Sequence, residues 1–299
     1  MSSIRWHAGG RTAAAGAGSF HAMPLVATEA VVLHVVPYLE SSRILRLATR
    51  AHGVVSVLGK GARKSQRRFG SALDLFAEGD AQFYTKPGRD LHTLGAFEVT
   101  RARVALGADL DRFAAGAMIA ELVLRFGRDE EDPGWYDALA AALDGVAAAP
   151  PGRGREAGLA GAWGIVGALG FAPALDHCAH CGSDLQSDAA VRFSQPAGGA
   201  LCDPCGRLAG ATRALPADAR AAVRAWLDHG ERRGGTVSEH AAERASPDDA
   251  TTRAHQRLLR EILREHLTDG RPLRAYESWE GGRWAAMPLP PRHAEPADK

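Results

Sequence analysis

Between Glu29 and Thr100 the apolar residues fall in short runs or alternate with polar ones; from Asp109 they recur every three to four positions. The first rhythm belongs to strands with one or both faces buried, the second to amphipathic helices. Residues 30–36 (AVVLHVV) form a β-branched run ended by Pro37. Residues 44–49 and 54–58 flank Ala51-His52-Gly53, a plausible hairpin connection. Leu73, Leu75, Ala81 and Phe83 stand two apart within their pairs, as in a strand with one buried face. Lys86-Pro87-Gly88-Arg89 reads as a turn, and residues 91–99 as the last strand. Five short strands in such a length point to a small closed barrel, because closure removes exposed edges; the five-stranded OB-fold is the candidate.

Asp109 or Asp111 can cap the first helix, which carries Phe113, Ala117, Ala120 and Leu124 and ends near Gly127. Asp132-Pro133 starts a second over residues 134–146, residues 147–154 (AAAPPGRG) form a linker, and a glycine-rich third helix ends at Gly170. Residues 216–229 and 251–267 are further helices, the last with Ala254, Leu258 and Ile262 on one face and Arg253, Arg257, Arg260 and Arg264 elsewhere. A polar connection spans 230–247, and prolines fill the end of the chain from Met287. The expected organisation is α+β and multidomain. A flexible extension (1–27) precedes an OB-fold nucleic-acid-binding barrel (28–104) and the first part of a helical domain (105–175). A cysteine-bearing insert (176–210), the second part of the helical domain (211–280) and a flexible tail (281–299) follow.

Charge sharpens this division. The chain of 299 residues has a formal net charge of +1, which points to no polyanionic partner. Residues 28–104, however, hold twelve Lys/Arg against seven Asp/Glu, a net of +5, while residues 105–175 hold five against ten, a net of −5. The first segment is the one suited to anions. The longest uncharged stretch, residues 157–175, is broken by five glycines and Pro173, so it reads as a closely packed helix rather than a membrane span. The first 22 residues lack a compact apolar core and cleavage site, and a cytoplasmic protein is expected.

Four cysteines, Cys178, Cys181, Cys202 and Cys205, are spaced C-x2-C-x20-C-x2-C. Two residues between thiolates let one turn present both sulfurs to a single ion, and two such knuckles complete a tetrahedral site; soft thiolates favour zinc. Gly182 and Gly206 follow the second cysteine of each pair, where a knuckle needs positive φ or close backbone approach. Two disulfides or two redox-active pairs are the alternatives, the first disfavoured without a secretion signal. His177 and His180 adjoin the first knuckle and could substitute as ligands, although four thiolates already fill the shell. A filled shell leaves no open position for catalysis, so one structural Zn2+ is expected.

Residues 60–70 (KGARKSQRRFG) hold Lys60, Arg63, Lys64, Arg67 and Arg68 without an acidic residue, directly after a strand. Clustered cations neutralise phosphates and release counterions, although a charge run alone is often only a solvated face. On an OB-fold such loops border the groove for single strands, with Tyr38, Phe69, Phe83 and Tyr84 as candidates for base stacking or for core. Arg46 and Arg50, opposite in parity to Leu45 and Leu47, can extend the patch. The chain has no H-E-x-x-H helix, Walker loop or G-x-S-x-G elbow, and no enzyme is expected.

In their order and spacing these segments resemble the RecO family of recombination mediators, over residues 28–279. The resemblance is carried by Glu29-Ala30-Val31-Val32-Leu33 through Pro37-Tyr38 and Glu40-Ser41-Ser42-Arg43, by residues 52–63 with Arg68-Phe69-Gly70, and by residues 169–178 leading into Cys181-Gly182. Phe193-Ser194 with residues 198–202, and residues 257–267 followed by Arg271-Pro272-Leu273-Arg274-Ala275, complete it. It implies an N-terminal OB-fold, a central helical domain with an inserted zinc site, no bond-breaking chemistry and a role in recombinational repair. The basic loop then makes Arg43, Lys60, Arg63, Lys64, Arg67 and Arg68 the expected DNA contacts. The resemblance further implies binding to single- and double-stranded DNA, annealing of complementary strands, and action with RecR to load RecA onto strands coated by SSB. The chain departs from the family's pattern in its first 27 residues, its proline-rich end and the many glycines of the third helix. An RNA- or ribosome-associated OB/zinc-ribbon protein is the alternative, since fold does not fix function.

Overall fold

The structure, a computed structural model, describes residues 24–62, 73–85, 88–127, 133–210, 212–231, 249–266 and 271–282. Five strands, β1 (Leu25–Tyr38), β2 (Ser42–Thr49), β3 (Gly53–Gly59), β4 (Glu78–Tyr84) and β5 (Leu91–Arg101), close a barrel in the order β1-β2-β3-β5-β4. All pairs are antiparallel except β3 with β5. This is the five-stranded barrel expected of an OB-fold. Strand β1 serves two neighbours: residues Leu25 to Val31 pair with β4, and residues Ala30 to Tyr38 with β2. A register shift between Val32 and His34 bends it between the two.

The unbroken apolar run at residues 30–33 follows from burial on both faces. Ala30 and Val32 join Leu45, Leu47, Val57, Phe83 and Phe97 inside the barrel, while Val31 and Leu33 belong to the core of the helical part. Three expectations change. The strand begins at Leu25, so residues 25–27 are barrel and not extension. It also continues through Pro37 to Tyr38, which is tolerated because β1 has only β2 beside it beyond Val31. Leu73 and Leu75 lie in an irregular segment before β4 rather than in its strand. In that segment Phe76 has a φ of 70°, which turns it out of the barrel, and its ring meets Phe113 edge-on at 5.8 Å.

The helical part holds α1 (Ala105–Ala108), α2 (Leu110–Phe126), α3 (Pro133–Ala148) and α4 (Gly154–Ala168), with α1 not anticipated. Asp109 caps α2, accepting the backbone N–H groups of Asp111 and Arg112. The glycines of α4 allow close packing: a Cβ on Gly158 would lie 2.8 Å from Cβ of Ala115, and one on Gly161 2.9 Å from Cβ of Ala142. A small unit then intervenes, with β6 (Val191–Ser194), β7 (Gly199–Leu201), α5 (Asp203–Leu208) and β8 (Arg213–Leu215). Its sheet runs β7-β6-β8, so β8 carries it past residue 210, the expected limit of the insert. Among the described residues three further helices follow: α6 (Ala217–Glu231), α7 (Asp249–His266) and α8 (Arg274–Gly281). On α7 the buried seam includes Thr252, His255, Gln256, Leu258, Leu259, Ile262 and Leu263, while Ala254 is only half-buried. Glu121 of α2 accepts the backbone N–H of Tyr276 at 3.0 Å and so fixes the start of α8. No helix among the described residues is long and apolar enough to cross a membrane.

Barrel and helices meet across a polar seam. Helix α3 aims Asp137, Ala140 and Asp144, spaced three or four apart along one face, at the barrel. The Arg103 side chain, 1% exposed, pairs with Glu78 of β4 and with Asp144 at 2.6 Å, and donates to the Phe76 carbonyl at 3.1 Å. Arg50 pairs with Asp137 at 2.7 Å and with Glu29, and stacks 4.6 Å above the Tyr136 ring. Removing one member of a buried pair strands the others in a poorly solvated place. Arg103→Met is therefore expected to lower unfolding stability by about 3 kcal/mol. Urea denaturation followed by circular dichroism checks this, and an unchanged midpoint would refute the seam's importance.

Candidate metal centre and nucleic-acid interface

The chain enters the small unit through Leu175 and makes its first turn at Cys178–Cys181, where the Gly182 N–H donates to the Cys178 carbonyl at 2.9 Å and the Cys178 N–H to Ser183 at 2.8 Å. Gly182 has φ +75°, and Gly206 is pressed against the Arg192 side chain. Both glycine requirements of a knuckle are thus met, one by φ and one by proximity. In the second turn the Gly206 N–H donates to the Cys202 carbonyl at 2.8 Å. The turns are held together because Ala179 N–H donates to Ala200 O at 2.8 Å.

All four Sγ atoms lie within 4.8 Å of one another, a group that could hold a metal ion. Cys181 and Cys202 are 3.7 Å apart at sulfur. Tetrahedral bonds of about 2.3 Å place sulfurs about 3.8 Å apart. A disulfide would need about 2.05 Å, and all four cysteines are free thiols. Burial pushes the Cys178 thiol up, but the backbone N–H groups of Cys202, Cys181 and His180 outweigh it and hold Cys178 at about 6. The Cys202 sulfur, with burial, pushes Cys205 up to about 12. Crowded thiolates of this kind fit a soft dication that neutralises them. His177 faces Asp184 at 3.7 Å, and His180 is exposed; neither is in the four-sulfur group.

One residue that holds this unit in place is not conspicuous in the sequence. Arg220 of α6 is fully buried. Its Nε donates to the Leu175 carbonyl at 2.8 Å, Nη1 to the carbonyls of Gln186 and Ala189, and Nη2 to that of Leu185. Burial and the adjacent Arg224 lower its proton affinity, and Asp176 partly offsets them. The guanidinium therefore clasps both ends of the segment that contains Cys178 and Cys181. An arginine in a helix reading ADARAAVRAW gives no hint of this, because its partners are backbone carbonyls far away in sequence.

At one end of the barrel, Arg43 pairs in register with Gly59, which sets it beside Lys60. Arg43 Nη1 donates to the Leu73 carbonyl at 3.5 Å, so the residues on either side of the basic run, Lys60–Ala62 and Leu73, meet the same strand end. Arg63, Lys64, Arg67, Arg68 and Phe69 lie outside the described residues. Of the aromatic candidates, Tyr38 and Tyr84 are exposed, but Phe83 is core and stacks on His92 at 5.8 Å. Arg46 is half-buried, and Arg50 is taken up by Asp137 and Glu29. The excess charge of the barrel is thus partly internal, since Arg50, Arg101 and Arg103 answer the acidic face of α3.

Comparison with known proteins agrees with this architecture. The family described as recombination protein O, N terminal, matches residues 23–103, and that described as recombination protein O, C terminal, matches residues 107–275. A DNA repair protein RecO from Anaeromyxobacter sp. (strain K) is 36% identical over 255 residues, 85% of this chain and 95% of its own. One from Anaeromyxobacter dehalogenans (strain 2CP-1 / ATCC BAA-258) is 37% identical over 247 residues, 82% and 92% of the two chains. One from Rubrobacter xylanophilus is 35% identical over 185 residues, 61% and 72%. With both halves matched and relatives aligned over most of their length, the chain belongs to the RecO family of DNA repair proteins.

Proposed function

We propose that this protein is a recombination mediator that binds single- and double-stranded DNA along the barrel end marked by Arg43 and Lys60, anneals complementary strands and, with RecR, helps load RecA onto strands coated by SSB. The observation that carries the reading is the placement of Arg43 beside Lys60, with the sequence of Arg63, Lys64, Arg67 and Arg68 between Lys60 and Leu73. Cations gathered at one strand end neutralise successive phosphates and release their counterions, an attraction indifferent to sequence. An annealing protein needs that indifference, because it must hold any strand while base pairing supplies the specificity. The role requires no bond to be broken and is exercised at the nucleoid, in the cytoplasm.

Cys178, Cys181, Cys202 and Cys205 would hold one zinc ion whose part is structural, fixing two turns to one another. Arg220 carries that order into the helical part through its carbonyl contacts.

Two measurements test these assignments. Arg43→Ala with Lys60→Ala is expected to weaken binding to a labelled single strand and to reduce the salt slope by about two ions. Unchanged affinity and slope refute the barrel-end interface, and clear preference for RNA of equal length favours an RNA-associated role instead. Purified protein is expected to contain one zinc per chain by elemental analysis, lost in Cys178→Ser with Cys205→Ser. Chelation should then lower the melting temperature, and less so in Arg220→Met, where the coupling to α6 is already cut. A chelator without effect on zinc-free and zinc-bearing protein alike would contradict a structural ion.

A further inference from the structure

The turn between β1 and β2 carries apolar surface that folding leaves uncovered. Leu39 is 75% exposed, with Tyr38 at 43% and Val36 at 40%. A single exposed leucine needs no explanation. Here, however, Leu39 stands at the tip of a hairpin with φ 53°, a backbone conformation that suits glycine or asparagine better than leucine. Both faces of the β1 arm of this hairpin are also apolar. Pro37 on one side borders an open groove of about 310 Å³ with Val35, Leu73 and Leu75, and Val36 and Tyr38 lie at alternate positions of the strand. Arg43, one residue from the turn on β2, lines the same groove and neighbours Lys60.

A partner for this surface must offer both flat apolar faces and negative charge, as unpaired nucleotides do. We infer that the Tyr38–Leu39 tip is a wedge that enters between two bases of a bound single strand and unstacks them, one base resting on Tyr38 and the next in the groove beside Pro37. The inference rests on the DNA-binding reading above. Arg43 and Lys60 hold the flanking phosphates, while Glu40 in the turn and Asp74 in the groove disfavour phosphate at those points and leave them to the neutral bases. Apolar side chains inserted at base steps and aromatic platforms for single strands both have this physical basis. An unstacked strand is open to pairing with its complement, which is what annealing demands.

The test uses the full-length protein and a single strand of mixed sequence containing 2-aminopurine, whose fluorescence rises when its neighbours unstack. Tyr38→Ser with Leu39→Asn removes the wedge, and asparagine accepts the backbone at residue 39, so the fold is retained; a melting curve verifies this. Wild-type protein should raise the fluorescence at saturation, and the variant should lose most of that rise. Its affinity should fall about tenfold, with the salt slope unchanged. If the variant unstacks and binds the strand as wild type does, while Arg43→Ala with Lys60→Ala weakens binding, the wedge is overturned and the interface stands. If wild-type protein does not bind the strand at all, both are overturned.

Discussion

A guanidinium almost cut off from water joins the two halves of this molecule. Arg103 leaves the last barrel strand and is received by Glu78 of the barrel, Asp144 of α3 and the carbonyl of Phe76. Burying that charge costs several kcal/mol unless such partners stand ready, and the set is complete only when α3 brings Asp144 to the barrel. The contact therefore reports on both halves at once. Around it the apolar interlock takes hold: Val31 and Leu33 on the outer face of β1, Ala48 on β2 and Phe76 at its positive φ all sink into the helical core. The docked helices cover one region of the barrel wall, and the strand end bearing Arg43, Lys60 and the Tyr38–Leu39 turn stays exposed.

The small cysteine-bearing unit is attached by similar means but with different chemistry. Arg220 is satisfied by backbone carbonyls on both sides of the first knuckle, not by carboxylates. Carbonyls present themselves together only if residues 175–189 are folded, so the knuckle's order and the seating of α6 depend on each other. Four thiols whose sulfurs lie within 4.8 Å of one another suit a cation at their centre. The metal ion proposed for this group would stabilise that attachment.

How much could be read from the residues alone varied with the range of the interaction. The five strands, the helices of residues 109–168 and the knuckles follow from local rhythm and spacing, and the structure places them there. Rhythm failed where tertiary partners decide. Pro37 looked like the end of a strand because the open side of β1 is not visible in a linear sequence. Leu73 and Leu75 alternate correctly but serve a loop that leads Phe76 away from the barrel. Phe83 and Arg50 have the residue types of a DNA-binding face, yet one fills the core and the other is committed to Asp137. Arg103 and Arg220 were invisible for the same reason: their partners lie some 25 to 45 positions away. Of the expected DNA contacts, only Arg43 and Lys60 fall within the described residues, and their adjacency came from strand register.

Membership of the RecO family places the protein in DNA repair, and the role proposed for the charged, partly apolar strand end is to hold strands in a form ready to pair. The most direct measurement is the rate at which two complementary oligonucleotides, each already coated with SSB, anneal in the presence and absence of this protein, followed by fluorescence energy transfer between end labels. The account predicts a protein-dependent acceleration that requires no nucleotide hydrolysis. An annealing rate identical with and without the protein would contradict it.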